Sequence, residues 1–484
     1  QVRHWAAMIG ELMGILYGEL PPAKLKQALI LSCIFFFLVG IYWQLRALKD
    51  SVFATVIGLD HMPTAKLLSV VVVSVLTVPY NALIDLVARH HLLIVLSCTY
   101  GALFMAVAAC LASKSIGLYS PLPPSPDRWL GWVHFFLIES YGSLVVSCFW
   151  QYVNWGCSYA DATAMYGLIV AGGQIGAIGG STLVTASRTF GVPELCAFGG
   201  VLALLPAVIM RVARHQLPSA PAGSGMGKRA CVEGNCDVFS VRSGMCEGMW
   251  LLGRYPYVLG IFAVSALHEV ISTIMDYQMK VLAKRATTST DKEHSTEDFA
   301  AFLGFFGQAT TGLSFVMSVL GTSFVIRRLG LRRTLTLFPL TLMVAVLAVY
   351  AFPTRWALFT AMVLIKGLSY ALNNPSKEML YLVTSDGVKF KTKSWIDGSG
   401  NRVAKAFGAT VVSAFKSPLS SLMFYGTVVS FGVASLVLGI SFWLGQTFEL
   451  LHCSGGLIGA ETRKEAEEEE VGLRATAERE TSTT

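Results

Sequence analysis

Residues 40–60 read GIYWQLRALKDSVFATVIGLD, and the way this stretch is read decides the fold. Arg46, Lys49 and Asp50 stand three and four positions apart, so a helix places them on one face. An apolar run precedes them, and the apolar SVFATVIG follows directly. A helix that ended at the charges would let Arg46 and Lys49 snorkel to lipid headgroups. The apolar continuation predicts instead a helix that carries them inward. An ionisable side chain costs at least about 2.5 kcal/mol at the centre of a bilayer, so it is retained where it pairs or lines a polar path.

The rest of the chain agrees with a membrane setting. Of its 484 residues, 54% are hydrophobic and 14% charged, against about 25% charged in an ordinary soluble domain. Mean hydropathy is +0.58. Apolar runs of about 20 residues, enough to span a bilayer as helix, recur throughout. The expected fold class is all-α and polytopic, with about twelve transmembrane helices in two six-helix bundles, a major-facilitator-like arrangement. Expected spans are 26–46, 64–88, 91–112, 131–156, 163–186 and 193–211, then 255–282, 300–326, 334–352, 356–384, 396–415 and 420–446.

This gives five regions: an N-terminal segment 1–25, a first bundle 26–211, a linker 212–253, a second bundle 254–446 and a charged tail 447–484. The linker holds LPSAPAGSGMGKR, a flexible Pro/Gly/Ser composition. The tail ends in ETRKEAEEEEVGLRATAERETSTT and reads as disordered. Lysine and arginine are richer in alternate loops, including RRLGLRR at 327–333 and the Lys389, Lys391 and Lys393 turn. That bias predicts both termini and the linker on the cytoplasmic side. The 284–298 stretch, with Lys284, Arg285 and Lys292 among acids, is read as a loop that departs from the bias. Residues 1–20 do not read as a signal peptide. The scattered cysteines show no zinc spacing and are expected to be unpaired thiols, so neither a metal nor a cofactor is expected. The net charge of +7 points to no nucleic-acid partner, and the expected surroundings are the lipid bilayer.

Several charges sit where a bilayer disfavours them. Glu139 lies in the apolar FFLIESYGSLVV, with Gln151 and Asn154 one helical turn apart further along. Its bland role is a hydrogen bond to a neighbouring helix; its functional role is an ion or substrate path. In GIFAVSALHEVISTIMDYQMKVLAK, Glu269 and Asp276 are seven apart, hence on one face, and Lys280 follows. His268 is assigned a structural, hydrogen-bonded place there. The Gly-rich MYGLIVAGGQIGAIGGSTLV is read as close helix packing, with a hinge or a wall beside substrate as the alternative.

Residues 373–408, NNPSKEMLYLVTSDGVKFKTKSWIDGSGNRVAKAFG, divide into two kinds of charge. Pro375 breaks a helical pattern, and a proline-broken membrane helix is tolerated where its freed backbone faces protein or a polar path. Lys377 and Glu378 follow the break. Arg402 and Lys405 share a face at three-residue spacing. These four join the candidates, while the lysine turn between them is a basic loop. Substrate-binding candidates are therefore Arg46, Lys49, Glu139, Glu269, Lys377, Arg402 and Lys405, with Asp50, Gln151, Asn154, Asp276, Lys280 and Glu378 as weaker ones. Trp43, Trp150, Tyr152 and Tyr381 are weak candidates for stacking on a base, against the usual packing and belt roles of membrane aromatics.

The segments LRALKDSVFATVIG, ESYGSLVVSCFWQYVN, DATAMYGLIVAGGQIG and PSKEMLYLVTSDGVKFKTKSWIDGSGNRVAKAFG, in this order, resemble the non-mitochondrial ATP/ADP translocases of plastids and obligate intracellular bacteria. The resemblance runs from about Trp5 to Trp443. It implies essential roles for Lys49, Glu139, a seventh-span glutamate that matches Glu269 with Asp276 as competitor, and Lys405. The chain also departs from the family. It has NPSKEMLYLVTS where plastid members tend to KxxKEMAYIPL, DATAMYGL where they have EAKRFYPL or similar, and AKAFG where they have GKSGG. It reads as a divergent relative.

The implied function is exchange of ATP against ADP by alternating access through a cationic central cavity, with nucleotide as cargo. No GxxxxGK[ST] pattern is present, so hydrolysis is not expected, and no nucleophile–base arrangement marks an enzyme. Arginine suits bidentate phosphate contacts and lysine acts as a point charge. Occluding an unpaired positive site is costly, which favours counter-exchange, with Glu139 and Glu269 pairing the basic residues in the absence of cargo. The alternatives are a proton-coupled symporter of another anionic metabolite, with Glu139, Glu269 or Asp276 as the proton site, and a non-transporting receptor or scaffold. A mitochondrial-type carrier is disfavoured by the span count and by the absence of threefold PxDxxK-like repeats.

Overall fold

The computed structural model describes residues 21–87, 89–156, 159–217, 249–290, 294–318, 322–385, 400–454 and 456–459, with isolated positions between 386 and 399. Among these residues the chain is helical and contains no strand; a single parallel bridge joins Thr384 to Ile458. Ten helices are long and apolar enough to cross a membrane. The other two expected spans are occupied by a broken helix and by a helix of 15 residues.

In the first part of the chain, α1 is Pro22–Val56, α2 Met62–Leu86, α3 Arg89–Ala112, α4 Trp129–Gly156 and α5 Tyr159–Thr185. Next come α6 Val192–Leu202 and α7 Leu205–Val212, separated at residues 203–204 within one expected span. Then follow α8 Pro256–Thr290, α9 Ser295–Val316, α10 Thr322–Ala351, α11 Arg355–Leu368, α12 Asn374–Leu380, α13 Asn401–Phe415 and α14 Leu419–Ser454.

Helix α1 continues through Arg46, Lys49 and Asp50 for another two turns, as the apolar SVFATV requires. Proline at the start of α1, α2, α6 and α7 fits, because the first helical turn has no internal partner for the missing N–H. Two boundaries differ from the sequence reading. Helix α8 reaches Thr290, so Lys284 and Arg285 stand on helix rather than in a loop. Helix α14 reaches Ser454, past the expected boundary at 446, and Ile458 beyond it hydrogen-bonds Val383 and Ser385 through its backbone. Most of the expected linker and the acidic tail from 460 onward lie outside the described residues. The basic RRLGLRR is a turn: Gly330 has φ 77°, a conformation that suits glycine, and it breaks the helical path inside α10.

The chain forms two compact units. One comprises Gln1–Met226, Tyr277–Phe315 and Thr354–Val363; the other comprises Gly227–Asp276, Val316–Pro353 and Leu364–Thr484. Within the first unit, α1 packs most extensively on α5, and glycine is the reason. A Cβ at Gly176 would collide with the Phe36 carbonyl, and one at Gly180 with that of Gly40. A Cβ at Gly40 would lie 2.9 Å from the Gly176 oxygen. The glycine row of α5 thus brings two backbones together, the packing reading of that segment. Around this seam α4 adds Phe149 and Trp150, which pack on Phe35 of α1.

Within the second unit, α10 packs chiefly on α14. Arg332 lies against Gly445, stacks over Phe442 and reaches Glu449 at 3.1 Å. Tyr257, Val258 and Ile261 of α8, Leu335 of α10, Leu380 of α12 and Leu444 of α14 form its buried core.

Candidate functional site

Each unit holds its own charged cluster. In the first unit, Lys49 on α1 is 4% exposed and forms an ion pair with Glu139 on α4. The same ammonium lies 4.2 Å from the centroid of Phe135, one turn before Glu139, so a ring face and a carboxylate hold one cation. Asp50, next along α1, is 3.6 Å from Lys49 and 2.7 Å from Lys280 on α8. Glu139, Lys49, Asp50 and Lys280 therefore form a continuous run of alternating charge. Its placement follows from local structure: α1 stays helical past the charges, and α8 stays helical past Lys280. Arg46 is half-buried, with its guanidinium 5.1 Å from the centroid of the Trp43 ring.

In the second unit, Lys405 on α13 lies 3.7 Å from Glu269 on α8, and Lys366 on α11 lies 3.8 Å from Asp276 on α8. The seven-residue spacing of Glu269 and Asp276 along α8 thus serves two different lysines. Lys377 on α12 donates a hydrogen bond to Ser265 Oγ at 2.8 Å. It is set there by the break that Pro375 predicts. The break begins earlier than the proline: Ser369–Asn373 is a π turn, and the Asn374 N–H bonds the Ser369 carbonyl. Proline has no N–H to continue the ordinary helical ladder, and the wider turn resolves this. Arg402 is half-buried on α13, and Glu378 is exposed. His268 is buried edge-on to Phe338, but its Nδ1 has no hydrogen-bond partner among the described residues. Its expected hydrogen-bonded role is replaced, at that atom, by packing.

The other candidates fall elsewhere. Gln151 is exposed and hydrogen-bonds Tyr80 and Ser147 rather than the Lys49 cluster. Asn154 is on α4, but its side chain lies outside the described residues. Tyr152 and Tyr381 are 2% and 4% exposed, packed in the core, which removes them as stacking platforms in this structure. Trp150 is wedged among Phe35, Phe149 and Tyr166.

Lys366 escaped the sequence reading. Its signal was present in LIKGLSY, a lysine inside an apolar run, the same criterion that singled out Lys49. A second omission is the polar turn that opens α9. Ser51 Oγ donates to the Thr296 carbonyl at 2.6 Å, Ser187 Oγ to that of Glu297 at 2.7 Å, and the Tyr119 hydroxyl to Glu297 Oε1 at 2.9 Å. Lys284 reaches Thr55 Oγ1 at 3.2 Å. Reading 284–298 as loop hid this network. Among the described residues no group of His, Cys, Asp and Glu is arranged to hold a metal ion, and Cys33, Cys98, Cys110, Cys148, Cys196 and Cys453 are free thiols.

No known protein-family profile matches the sequence, and no curated protein matches it. Solved structures do share its architecture. The chain is similar to a point mutant of the nucleoside transporter NupG at 15% identity and TM-score 0.56, over 89% of this chain and 99% of that one. It is similar to a bacterial homologue of the iron transporter ferroportin in an inward-facing state, at 14% identity and TM-score 0.59, over 88% of this chain and 100% of that one. It is also similar to a peptide transporter POT in complex with sulfate, at 15% identity and TM-score 0.54, over 91% and 96% of the two chains. Identities this low carry the fold and nothing finer. With ten membrane-length helices and these neighbours, the chain is a multi-pass integral membrane protein with an all-α, major-facilitator-like fold.

Proposed function

We propose that the chain is a membrane transporter for an anionic, phosphate-bearing small molecule, with adenine nucleotides as the substrates and ATP taken up against ADP. The observation that carries the reading is the pairing of lysine with carboxylate, Lys49 with Glu139 and Lys405 with Glu269, among helices of membrane length. Charged pairs among membrane helices are costly and are kept where they serve a path or a ligand. A phosphate competes directly with a carboxylate for a lysine, since both present charged oxygen acceptors. Within each unit a phosphate would take the lysine from its carboxylate, Lys49 from Glu139 in one and Lys405 from Glu269 in the other, and its departure would return the lysine. That exchange of partners supports obligatory counter-exchange, because no lysine is left unpaired at any step. Arg46, Lys377 and Arg402 supply further donors. The resemblance to non-mitochondrial ATP/ADP translocases points to Lys49, Glu139, Glu269 and Lys405, and the solved nucleoside transporter of similar fold adds only that this architecture serves transport in that protein.

The test is reconstitution in liposomes loaded with unlabelled ADP, measuring uptake of labelled ATP beside empty liposomes and a Lys49→Ala variant. Uptake that needs internal nucleotide and is lost in the variant supports the reading. Absence of uptake and of nucleotide binding, in folded protein, moves the substrate to another anion. Uptake that follows an imposed pH gradient without internal nucleotide favours proton-coupled symport instead.

A further inference from the structure

The two units repeat one pattern: a partly exposed ion pair accompanied by a buried one. Glu139 keeps 32% of its side chain exposed beside Lys49, and the Lys405–Glu269 pair keeps 54% and 28%. Asp50 and Lys280 keep only 8% and 6%, and Asp276 and Lys366 only 8% and 12%. In the first unit the buried pair adjoins the accessible one, and in the second the two pairs share α8. Asp50 is next to Lys49 in the chain and 3.6 Å from its ammonium, and Asp276 follows Glu269 two turns along α8.

We propose that Asp50–Lys280 and Asp276–Lys366 are permanent positioning pairs, distinct from the Lys49–Glu139 and Lys405–Glu269 pairs that exchange partners with cargo; this rests on the transport reading above. The reasoning is electrostatic. Lys49 has two carboxylates within reach, Glu139 and Asp50. Without Lys280, Asp50 would draw more strongly on that lysine and oppose any anion that approached. Lys280 at 2.7 Å satisfies Asp50, so Lys49 answers chiefly to Glu139, the more exposed of its two partners. In the second unit Lys366 lies 3.8 Å from Asp276, while Lys405 lies 3.7 Å from Glu269. Lys280 thus sets which carboxylate is the releasable one for Lys49, and Lys366 balances Asp276, neither binding cargo itself.

A buried pair that only balances charge tolerates replacement of both members by neutral groups of similar size, whereas removal of one strands the other. An exchanging pair does not tolerate neutral replacement, because the charge is its function. The experiment compares Lys280→Met, Asp50→Asn and their double variant, then Lys366→Met, Asp276→Asn and theirs, beside Lys49→Met/Glu139→Gln and Lys405→Met/Glu269→Gln. Each full-length protein is purified, its melting temperature measured in detergent, and its uptake of labelled ATP into ADP-loaded liposomes followed over substrate concentration.

The expected result is that Lys280→Met and Lys366→Met each lose at least about tenfold in uptake and melt about 5 °C or more below the parent. The neutral doubles at those positions recover both readouts to within about twofold and about 2 °C. Lys280→Met should act mainly by raising KM, since Asp50 then competes for Lys49. The Lys405→Met/Glu269→Gln double should keep its melting temperature and the Lys49→Met/Glu139→Gln double should lose only what the Phe135 ring contact supplies, yet both should lose uptake. The proposal is overturned if the buried-pair doubles are no better than the singles in both readouts, or if Lys280→Met and Lys366→Met match the parent. Should the parent itself take up no nucleotide, the transport reading fails. The melting temperatures then decide the pairing separately: additive losses overturn it and recovery in the doubles upholds it.

Discussion

Lys49 of α1 is clamped between the Phe135 ring and the Glu139 carboxylate, two groups one turn apart on α4. Removing this lysine takes away a cation–π contact and an ion pair together. Because Glu139 remains a third exposed, its charge can be hydrated, and the cost is below that of a fully buried pair. Lys49→Met is expected to destabilise by about 1–3 kcal/mol and to reduce uptake by at least about tenfold. Lys49→Arg keeps the charge and the ring contact but not the compact ammonium, so it should fold like the parent and transport at an intermediate rate. Thermal unfolding in detergent and liposome uptake check the two halves. An Arg variant as inactive as Met, with parent-like stability, would show that ammonium geometry rather than charge is required.

The seam between α1 and α5 makes a prediction about stability alone. At Gly176 and Gly180 an added methyl meets the backbone of α1, which cannot rotate away, whereas at Gly179 it meets nothing within 4 Å. Gly176→Ala and Gly180→Ala should each cost about 1–3 kcal/mol. Gly179→Ala should be neutral or stabilising by up to about 1 kcal/mol, since alanine is the better helix former. Melting temperatures of the three variants measure this. Equal losses at all three positions would mean that the glycines matter for flexibility rather than close approach, the hinge alternative.

What the sequence made legible was local. The apolar runs predicted where helices lie, because a bilayer demands length and apolarity within one segment. The same cost argument singled out Lys49, Glu139, Glu269 and Lys405, residues whose charge is anomalous in their own neighbourhood. Partnership was not legible. Asp50 meets Lys280, far along the chain, and Asp276 meets Lys366, and no spacing rule links positions brought together by packing of separate helices. Lys366 bears the same mark as Lys49, yet it stands alone ahead of the break, where no second charge nearby reinforces it. The helical end of α8 is hidden for a different reason. KRATTST at 284–290 is polar enough to read as loop, and contacts such as Lys284 to Thr55, which only the folded chain supplies, accompany its helix.

Pro375 offers a test of the π turn. Substituting alanine returns an N–H that can bond in the ordinary helical register, so Ser369–Asn373 is free to tighten into α-helix. Proline early in a helix is tolerated, so the gain in stability should be modest, about 1 kcal/mol or less. Tightening rotates everything beyond the turn and draws Lys377 away from Ser265, which it now meets at 2.8 Å. Pro375→Ala is therefore expected to be as stable as the parent or slightly more so, with uptake reduced several-fold. Ser265→Ala isolates the hydrogen bond from the turn. If Pro375→Ala transports normally while Ser265→Ala does not, Lys377 keeps its place without the π turn and the turn has another cause.

The first turn of α9 is tied to three other parts of its unit, and these ties should be energetically coupled. Glu297 stands in that turn, where the helix dipole favours a negative charge. Its Oε1 accepts from Tyr119, and its backbone carbonyl accepts from Ser187. The preceding Thr296 bonds Ser51 and Thr55 of α1. Glu297→Ala removes the dipole term and the carboxylate acceptor of the Tyr119 hydroxyl, an expected loss of about 1–2 kcal/mol. Glu297→Gln keeps an acceptor for Tyr119 and should cost less. Tyr119→Phe alone should cost about 0.5–1.5 kcal/mol by leaving Oε1 without that donor. In the Glu297→Ala background the same Tyr119→Phe change should cost clearly less, because its bond to the carboxylate is already gone. Thermal unfolding of the four proteins gives the coupling, and hydrogen exchange over residues 295–300 reports whether the loss is local to this turn. Strict additivity of the two substitutions would mean that Tyr119 and Glu297 stabilise the unit independently, and that the turn is held by Ser51, Thr55 and Ser187 without them.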